Sequence, residues 1–424
     1  MTTNRTAERV RSFGTSIFAE ISALAAQHGA VNLGQGFPDF AGPAWVKAAA
    51  AEAITADMNQ YAPYLGLPRL REAIAATWQV FGWRAVDPAS EVTVTSGATE
   101  AIFGAVQALV NPGDEVIVFE PFYDAYVPDV VMAGGVPRYV RLHPPLKDEG
   151  RSMKDEVQRS DECAGSSSRI LHPASLAWWF DPAELAAAFS PRTRLLLLNT
   201  PNNPTGKVFS PEELAQIAEL CIQHDVVVVA DEVYDQLVFA PAVHTPIATL
   251  PGMWERTLTI NSTGKTFSLT GWKIGYAVGP ADLTAALRAA HQWITFATAT
   301  PLQVAAAVAL ERAAGSNYYA ELRAEYAERR DLLAEVLGSA GFPTLPVEGS
   351  YFIMADISRA GFSSDADFCR WLTSEVGVAA IPPSAFYADA CGLPLLARFC
   401  FAKKLETLRA AAVRLASAGR PRGA

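Results

Sequence analysis

Short apolar runs alternate with longer amphipathic stretches through the middle of the chain. Six of these runs have the length and composition of buried strands: 91–95, 115–119, 194–198, 226–230, 257–260 and 274–278. The segments between them predict helices, for example over 99–110 and over 211–224, where Ser210 is the expected N-cap. This alternation predicts an α/β fold with a mainly parallel sheet covered by helices on both faces.

The pattern changes near residue 301. A charged helical stretch over 318–337, an apolar segment over 349–356 and a helix near 366–375 predict a second, smaller α+β domain over 301–424. We expect residues 1–45 to join that domain, and 46–300 to form a large domain. Within the large domain, 147–175 is charged, rich in serine and without periodicity, which predicts an inserted surface loop.

Composition narrows the function. The chain has 424 residues and is half hydrophobic; 34 Lys and Arg against 44 Asp and Glu give a net charge of −10, which argues against nucleic acid or an anionic membrane as the main partner. Five cysteines without CxxC spacing favour reduced thiols over a disulfide framework or a metal site. With no apolar stretch near eighteen residues, we expect a cytoplasmic enzyme.

Polar residues follow four of the predicted strands. Ligands of such sheets bind beyond the carboxyl ends of the strands. After 91–95 come Gly97, Ala98 and Thr99, at a turn into a helix whose free N–H groups suit a phosphate. The alternative is an ordinary glycine turn that is capped by the threonine.

The next two strand ends carry an amide and an acid. Asn203, after 194–198, lies between prolines that fix its backbone, and it could instead cap its own turn. Asp231 follows five apolar residues, where a carboxylate needs a cation or a strong donor. A protonated pyridine nitrogen would meet that need, although the acid could also cap a turn. Tyr234 could reach the same ligand.

Lys265 follows the fourth strand. Glycine at 264 permits close backbone approach, while Ser262 and Lys273 could anchor a phosphate, as a lysine that binds an aldehyde cofactor requires. Taken alone, the spacing also fits a solvated lysine. The phosphate turn, Asn203, Asp231 and Lys265 nevertheless occur in the order that a pyridoxal phosphate site needs.

The chain resembles class I aminotransferases of fold type I, and within them the kynurenine/glutamine and methionine aminotransferases. The resemblance covers roughly residues 14–418, apart from 147–175. Its motifs are NLGQGFPDF (32–40), NQY (59–61), TSGATEA (95–101), NPTG (203–206), DEVY (231–234), GKTF (264–267), TGWK (270–273) and RFCFAKK (398–404). The resemblance implies pyridoxal 5'-phosphate as cofactor and a ping-pong transamination between an amino acid and a 2-oxo acid.

The resemblance also implies a role for each matching residue. Lys265 corresponds to the Schiff-base lysine and proton shuttle, Asp231 to the partner of the pyridinium nitrogen, and Asn203 and Tyr234 to the partners of the phenolic oxygen. Tyr123 would stack on the ring, while Gly97, Ala98, Thr99, Ser262 and Lys273 would hold the phosphate. Tyr61 would reach the phosphate of a partner subunit, which implies a homodimer with shared sites. Arg398 and the Gly36 backbone would bind the substrate α-carboxylate.

The substrate class must be inferred from the residues that would line the pocket. The region 291–298 lacks the arginine by which dicarboxylate-specific relatives bind a second carboxylate, and Phe18, Tyr61 and Phe296 predict an apolar, aromatic-rimmed pocket. Each aromatic residue could equally belong to the core. The pocket suits methionine, glutamine or aromatic amino acids, and departures at Phe18, Thr99 and Ala297 favour methionine over kynurenine.

Three other functions deserve comparison. A cysteine-S-conjugate β-lyase would use the same site. A non-catalytic sensor would need a DNA-binding domain, for which residues 1–30 are too short. A dinucleotide-dependent dehydrogenase would need a G-x-G-x-x-G motif that opens a helix after a strand, and the chain has none.

Overall fold

The computed structural model describes residues 5–11, 13–145 and 177–417. The described strands are β1 (Val31–Asn32), β2 (Val92–Ser96), β3 (Glu115–Glu120), β4 (Val136–His143), β5 (Trp179–Phe180), β6 (Thr193–Asn199), β7 (Val227–Asp231), β8 (Thr257–Ser262), β9 (Ile274–Val278), β10 (Phe352–Asp356), β11 (Val378–Ala379) and β12 (Leu396–Cys400). The described α-helices are α1 (Ile17–His28), α2 (Ala44–Thr55), α3 (Pro68–Val80), α4 (Gly97–Leu109), α5 (Tyr126–Met132), α6 (Pro182–Ala188), α7 (Pro211–Gln223), α8 (Thr263–Thr266), α9 (Ala281–Ile294), α10 (Thr300–Ala314), α11 (Tyr318–Ser339), α12 (Asp365–Trp371) and α13 (Leu405–Ser417).

A mixed sheet of eight strands forms the centre of the fold, in the order β2-β9-β8-β7-β6-β3-β4-β5. Strands β8, β7, β6, β3 and β4 run parallel to one another, whereas β9 is antiparallel to both β2 and β8, and β5 is antiparallel to β4. The predicted α/β class and mainly parallel sheet are confirmed. All six predicted strands are present within one or two residues. Strand β4 was missed because proline and arginine interrupt its apolar run.

Helices cover both faces of this sheet. Along β3, Val116 and Val118 pack with the α4 residue Ile102, whereas Ile117 and Phe119 pack against the opposite face. This alternation follows from the two-residue repeat of a strand. Helices α4 and α7 begin within two residues of their predicted starts, and α7 opens with the expected Ser210 cap, whose hydroxyl accepts a hydrogen bond from the Glu213 N–H.

The C-terminal part forms a second core around two small sheets. Strand β10 is antiparallel to β12, and β1 pairs in parallel with β11. Residues from the N-terminal segment, including Ile21 and Leu33, pack in one apolar cluster with Phe368 and Leu408. The three-part division into 1–45, 46–300 and 301–424 stays a prediction, which this packing supports. The predicted insertion at 147–175 lies outside the described residues.

The structure also describes the features on which the composition-based expectations depend, namely cysteines, long helices and metal-ligating side chains. Cys221, Cys369 and Cys400 are free and buried, but Cys391 is disulfide-bonded, so the expectation of reduced thiols throughout is wrong at that residue. Spacing alone could not reveal this, because disulfide formation depends on the approach of two residues in space. No described helix is both long and apolar enough to cross a bilayer. Described His, Cys, Asp and Glu side chains form no cluster suited to a metal ion.

Candidate active site

A cavity of about 350 Å³ lies at the carboxyl ends of the parallel strands. Asp231 and Ser262 end β7 and β8, and the turn after β2 opens onto the same space. All the predicted site residues except Tyr61 and Phe296 line it: Phe18, Gly36, Gly97, Ala98, Thr99, Tyr123, Asn203, Asp231, Tyr234, Ser262, Lys265, Lys273 and Arg398. The edge of the sheet thus gathers residues that are far apart in the chain.

The turn from β2 into α4 has the chemistry of an anion site. Gly97 has φ of +77°, and a Cβ there would lie 2.9 Å from Lys273 Cε. A Cβ on Gly275 would lie 2.3 Å from the Gly97 carbonyl carbon, so the two backbones must touch. The Lys273 Nζ lies 3.4 Å from Thr99 Oγ1, and Ser262 lines the same end of the cavity. Helix N–H groups, hydroxyls and an ammonium therefore converge.

A buried ion pair between Glu100 and His291 packs against this turn. Glu100 accepts a hydrogen bond from the Ser96 N–H, and its other oxygen lies 2.5 Å from His291 Nδ1. The His291 Nε2 lies 2.7 Å from the Tyr64 carbonyl oxygen. Burial by itself lowers the pKa of His291, but the Glu100 carboxylate outweighs it and the net shift is upward. The sequence alone does not predict this pair, because nothing in the linear pattern joins residues on α4 and α9.

Asp231 is buried at the end of β7. Its Oδ2 accepts a 2.6 Å hydrogen bond from the Tyr126 hydroxyl, which the sequence analysis also missed. Burial raises the pKa of Asp231 to about 6, although the Tyr126 bond works in the opposite direction. Asp231 forms no salt bridge with a described residue. A buried carboxylate with neutral partners is suited to pair with a cationic N–H group.

Asn199 joins Asp231 to Asn203. Its Nδ2 donates to the Asp231 carbonyl oxygen at 2.9 Å, and its Oδ1 accepts from the Asn203 N–H at 2.7 Å. The Asn203 Oδ1 in turn accepts a 2.9 Å hydrogen bond from Arg398. The Asn203 side-chain NH₂ group, which is a donor, thus remains for a ligand in the cavity, in keeping with its predicted use.

Lys265 lies in α8, directly after β8. Its Nζ donates to the Tyr351 hydroxyl oxygen at 2.9 Å and lies 5.4 Å from the centre of the Tyr234 ring. Burial of the amine lowers the pKa of Lys265 to about 8, although the Asp231 carboxylate opposes that shift. A large part of the amine is therefore neutral near that pH, as a nucleophile or base must be.

Arg398 lies on β12 and is completely buried. It donates through Nη1 to Asn203 and through Nη2 to the Gly34 carbonyl oxygen at 2.7 Å, while its Nε has no described partner. Its guanidinium carbon lies 4.1 Å from the Phe352 ring centre and 5.0 Å from that of Phe18. Burial lowers the pKa of Arg398 to about 10, so it stays cationic at neutral pH. A buried cation that forms no salt bridge with a described residue is suited to bind a carboxylate.

Tyr123 and Asp124 complete the inner wall of the cavity. Tyr123 lines the cavity and meets the Tyr126 ring edge to face at 5.6 Å between centroids. Burial raises the pKa of Tyr123 to about 12, so its hydroxyl stays protonated at neutral pH. Asp124, which the sequence analysis did not single out, also lines the cavity, and burial raises its pKa.

Tyr61 and Phe296 lie away from this cavity. Their rings pack edge to face at 5.6 Å, and Tyr61 is 87% exposed. Trp293, on α9, is 83% exposed. The predicted contribution of Tyr61 and Phe296 to a substrate pocket is therefore not met within one chain, and it stays a prediction for an assembly of two chains.

Known proteins match the chain over nearly its whole length. Residues 29–415 match the family described as Aminotransferase class I and II. A kynurenine–oxoglutarate transaminase of Dictyostelium discoideum is 41% identical over 406 residues, which cover 91% of this chain and 90% of the relative. The methionine aminotransferase of Escherichia coli (strain K12) is 41% identical over 408 residues, covering 96% and 97%.

A solved structure gives the same result. The N-succinyldiaminopimelate aminotransferase from Mycobacterium tuberculosis has a TM-score of 0.87 and 44% sequence identity, covering 97% of this chain and 99% of that one. The resemblance read from the motifs is thereby confirmed. The chain belongs to the class I and II aminotransferases and is a transaminase with their α/β fold.

Proposed function

We propose that the chain uses pyridoxal 5'-phosphate to move the amino group of an apolar, sulfur-containing, aromatic or amide amino acid to a 2-oxo acid. The observation that carries the proposal is one cavity that holds a buried acid, a partly buried amine and a buried guanidinium. These groups are Asp231, Lys265 and Arg398, and none forms a salt bridge with a described residue. Asp231 suits a pyridinium nitrogen, Lys265 suits an aldehyde and Arg398 suits an α-carboxylate.

The residues present fit this cofactor. The turn at Gly97, with Ser262 and Lys273, suits a phosphate, and the contact between Gly97 and Gly275 leaves no room for a side chain there. Asp231 would keep the ring nitrogen protonated, and Asn203 and Tyr234 would bond its phenolic oxygen. When bound, pyridoxal phosphate supplies a ring that accepts electron density from the substrate Cα.

The chain's own residues then bind, orient and move a proton. Arg398 holds the α-carboxylate and so fixes the direction of the Cα–H bond. Lys265 Nζ, once released, takes the proton from Cα and later returns it, as base and then as acid. Asp231 and Tyr126 are both buried, which would keep water from the ring nitrogen. The same residues would serve both half-reactions, and the order is ping-pong because the donor leaves as an oxo acid before the acceptor binds.

The cavity lining supports an uncharged substrate side chain. Its described cations are Lys265, Lys273 and Arg398, which the cofactor and the α-carboxylate would occupy. Phe18 adds apolar surface, and the Asp124 carboxylate would repel a second acid. The names of the E. coli and D. discoideum relatives also favour methionine or kynurenine-like donors, whereas that of the M. tuberculosis relative indicates a different, acidic donor.

We further propose a homodimer in which each site borrows Tyr61 from the partner subunit. Tyr61 and Phe296 pack together, and Trp293, three residues before Phe296, is also exposed. We call these three residues the aromatic patch, and exposed apolar surface of this kind favours association. Tyr61 does not line the cavity of its own chain, so it cannot contact a ligand there. A second copy that covers the aromatic patch would bring a phenol to each phosphate.

Lys265→Ala should abolish covalent attachment of the cofactor. Wild-type protein incubated with pyridoxal phosphate and reduced with borohydride should carry the added mass on residue 265, and the variant should not, because the amine is gone. Lys47→Ala, which changes an exposed lysine on α2, serves as the control. Labelling of the Lys265→Ala variant to the wild-type level would contradict the proposed role.

A panel of amino donors should separate substrate classes. Methionine, glutamine and phenylalanine should exceed aspartate, glutamate and N-succinyldiaminopimelate by about tenfold or more in kcat/KM, because a second carboxylate would meet Asp124 and no free cation. The half-reaction of each donor can be followed by absorbance. A preference for the three acidic donors would refute the proposed substrate class while leaving the transaminase activity intact.

Mixed dimers should test the shared site. Lys265→Ala and Tyr61→Ala chains are each expected to be impaired, but a hybrid of the two contains one site with both native residues if Tyr61 acts across the interface. Co-expression with two affinity tags should therefore restore about half of the wild-type activity. If Tyr61 acts within its own chain, no hybrid site is complete, and activity would stay at the level of the Tyr61→Ala chain or below.

Gly275→Ala should weaken cofactor binding. Its methyl group would meet the Gly97 backbone at 2.3 Å and displace the phosphate turn. We expect the Kd for pyridoxal phosphate to rise about tenfold or more, measured by quenching of tryptophan fluorescence. Gly271→Ala is the matched control, because nothing lies within 4 Å of a Cβ there. Equal Kd values for both variants would contradict the argument.

A further inference from the structure

Tyr351 lies where three distant segments meet. It directly precedes β10, is completely buried, and packs edge to face on Tyr234 at 5.0 Å between ring centroids. Its hydroxyl oxygen lies 2.9 Å from Lys265 Nζ and 2.6 Å from the Gly36 carbonyl oxygen. The N-terminal segment, the C-terminal part and the central sheet are therefore joined through one phenol beside the amine.

The Gly36 carbonyl fixes the direction of both hydrogen bonds. A carbonyl oxygen can only accept, so the single proton of the Tyr351 hydroxyl is donated to Gly36. Towards Lys265 the phenol then presents only lone pairs, and the amine must donate one of its N–H bonds. The Gly36 backbone packs closely on Phe352, since a Cβ on Gly36 would lie 2.7 Å from that ring.

This arrangement matters for a neutral lysine. A neutral amine has two N–H bonds and one lone pair, and a phenol that donated to it would occupy the lone pair. Because the proton of Tyr351 is committed to Gly36, the lone pair of Lys265 stays free. Within the described part of the chain, Lys265 Nζ donates its side-chain hydrogen bond to Tyr351.

We propose that Tyr351 is a positioning residue that holds the released amine of Lys265 by one N–H bond and keeps its lone pair available for the substrate Cα proton. The inference rests on the proposed function. In the step it assists, the Cα–H proton moves to Lys265 Nζ and forms an ammonium, while the bonding electrons stay with the substrate. The ammonium keeps one N–H on Tyr351 until it gives a proton back.

Tyr351→Phe tests the inference, because it removes the hydroxyl and keeps the ring. Tyr326→Phe is the matched control: Tyr326 is also fully buried, stacks on Tyr351 at 6.2 Å, and makes neither of these two bonds. With methionine as donor, we expect kcat of Tyr351→Phe to fall about tenfold or more. The isotope effect with Cα-deuterated methionine should rise, since proton removal becomes slower.

Binding provides the readout that does not depend on turnover. α-Methylmethionine has no Cα proton, so it can bind but cannot lose that proton, and its Kd is measured from the absorbance of the bound cofactor. We expect this Kd to stay within about twofold in both variants, because Tyr351 acts on the proton and not on ground-state binding. The Tyr326→Phe variant should also keep the wild-type kcat.

Two results with the Tyr351→Phe variant would overturn the inference. A Tyr351→Phe variant with unchanged kcat, or one that loses kcat and α-methylmethionine affinity in equal measure, overturns the inference. If that variant fails to fold, 3-fluorotyrosine at position 351 weakens the acceptor without changing shape, and an unchanged kcat there overturns it equally. Failure of the unsubstituted protein to attach pyridoxal phosphate would instead refute the proposed function itself.

Discussion

The burial of charged groups without a direct ion pair is the constraint on which this structure depends. Asp231, Lys265 and Arg398 face one cavity, and isolated ions in such surroundings are costly. Neutral groups offset part of that cost: Tyr126 donates to the acid, Tyr351 accepts from the amine, and a backbone carbonyl and an amide oxygen accept from the guanidinium. The part of this free-energy cost that remains is relieved when a ligand with the opposite charges binds, and it therefore favours such a ligand.

The fold supplies these neutral partners from elements that belong to separate cores. The acid and the amine follow parallel strands of the large sheet, whereas Arg398 lies on β12, opposite Met354 of β10. The guanidinium thus reaches over the sheet edge from the C-terminal part. The N-terminal segment closes the arrangement, since Gly34 and Gly36 accept hydrogen bonds from Arg398 and Tyr351. A ligand in the cavity would therefore stabilise the contact between both parts.

The sequence predicted much of this site because each local pattern has a local cause. Continuous apolar runs predicted the six strands, and polar residues directly after them predicted Asp231 and Lys265. Tyr126, Tyr351 and the pair of Glu100 with His291 were missed, since each looks like an ordinary helix or core residue in the chain. Tyr61 and Phe296 are the reverse case: the sequence predicted a role for them, but a single chain does not contain the surface on which they would act.

By itself, the sequence determined the α/β class, the order of the strands along the chain and the residue types that carry the chemistry. Apolar periodicity and turn residues act over a few positions, so they can be read without knowledge of the fold. The tertiary structure alone decided the neutral partners of the buried charges, the direction of the hydrogen bonds at Tyr351 and the contact of Gly275 with Gly97. These depend on distances between segments far apart in sequence, which only packing brings together.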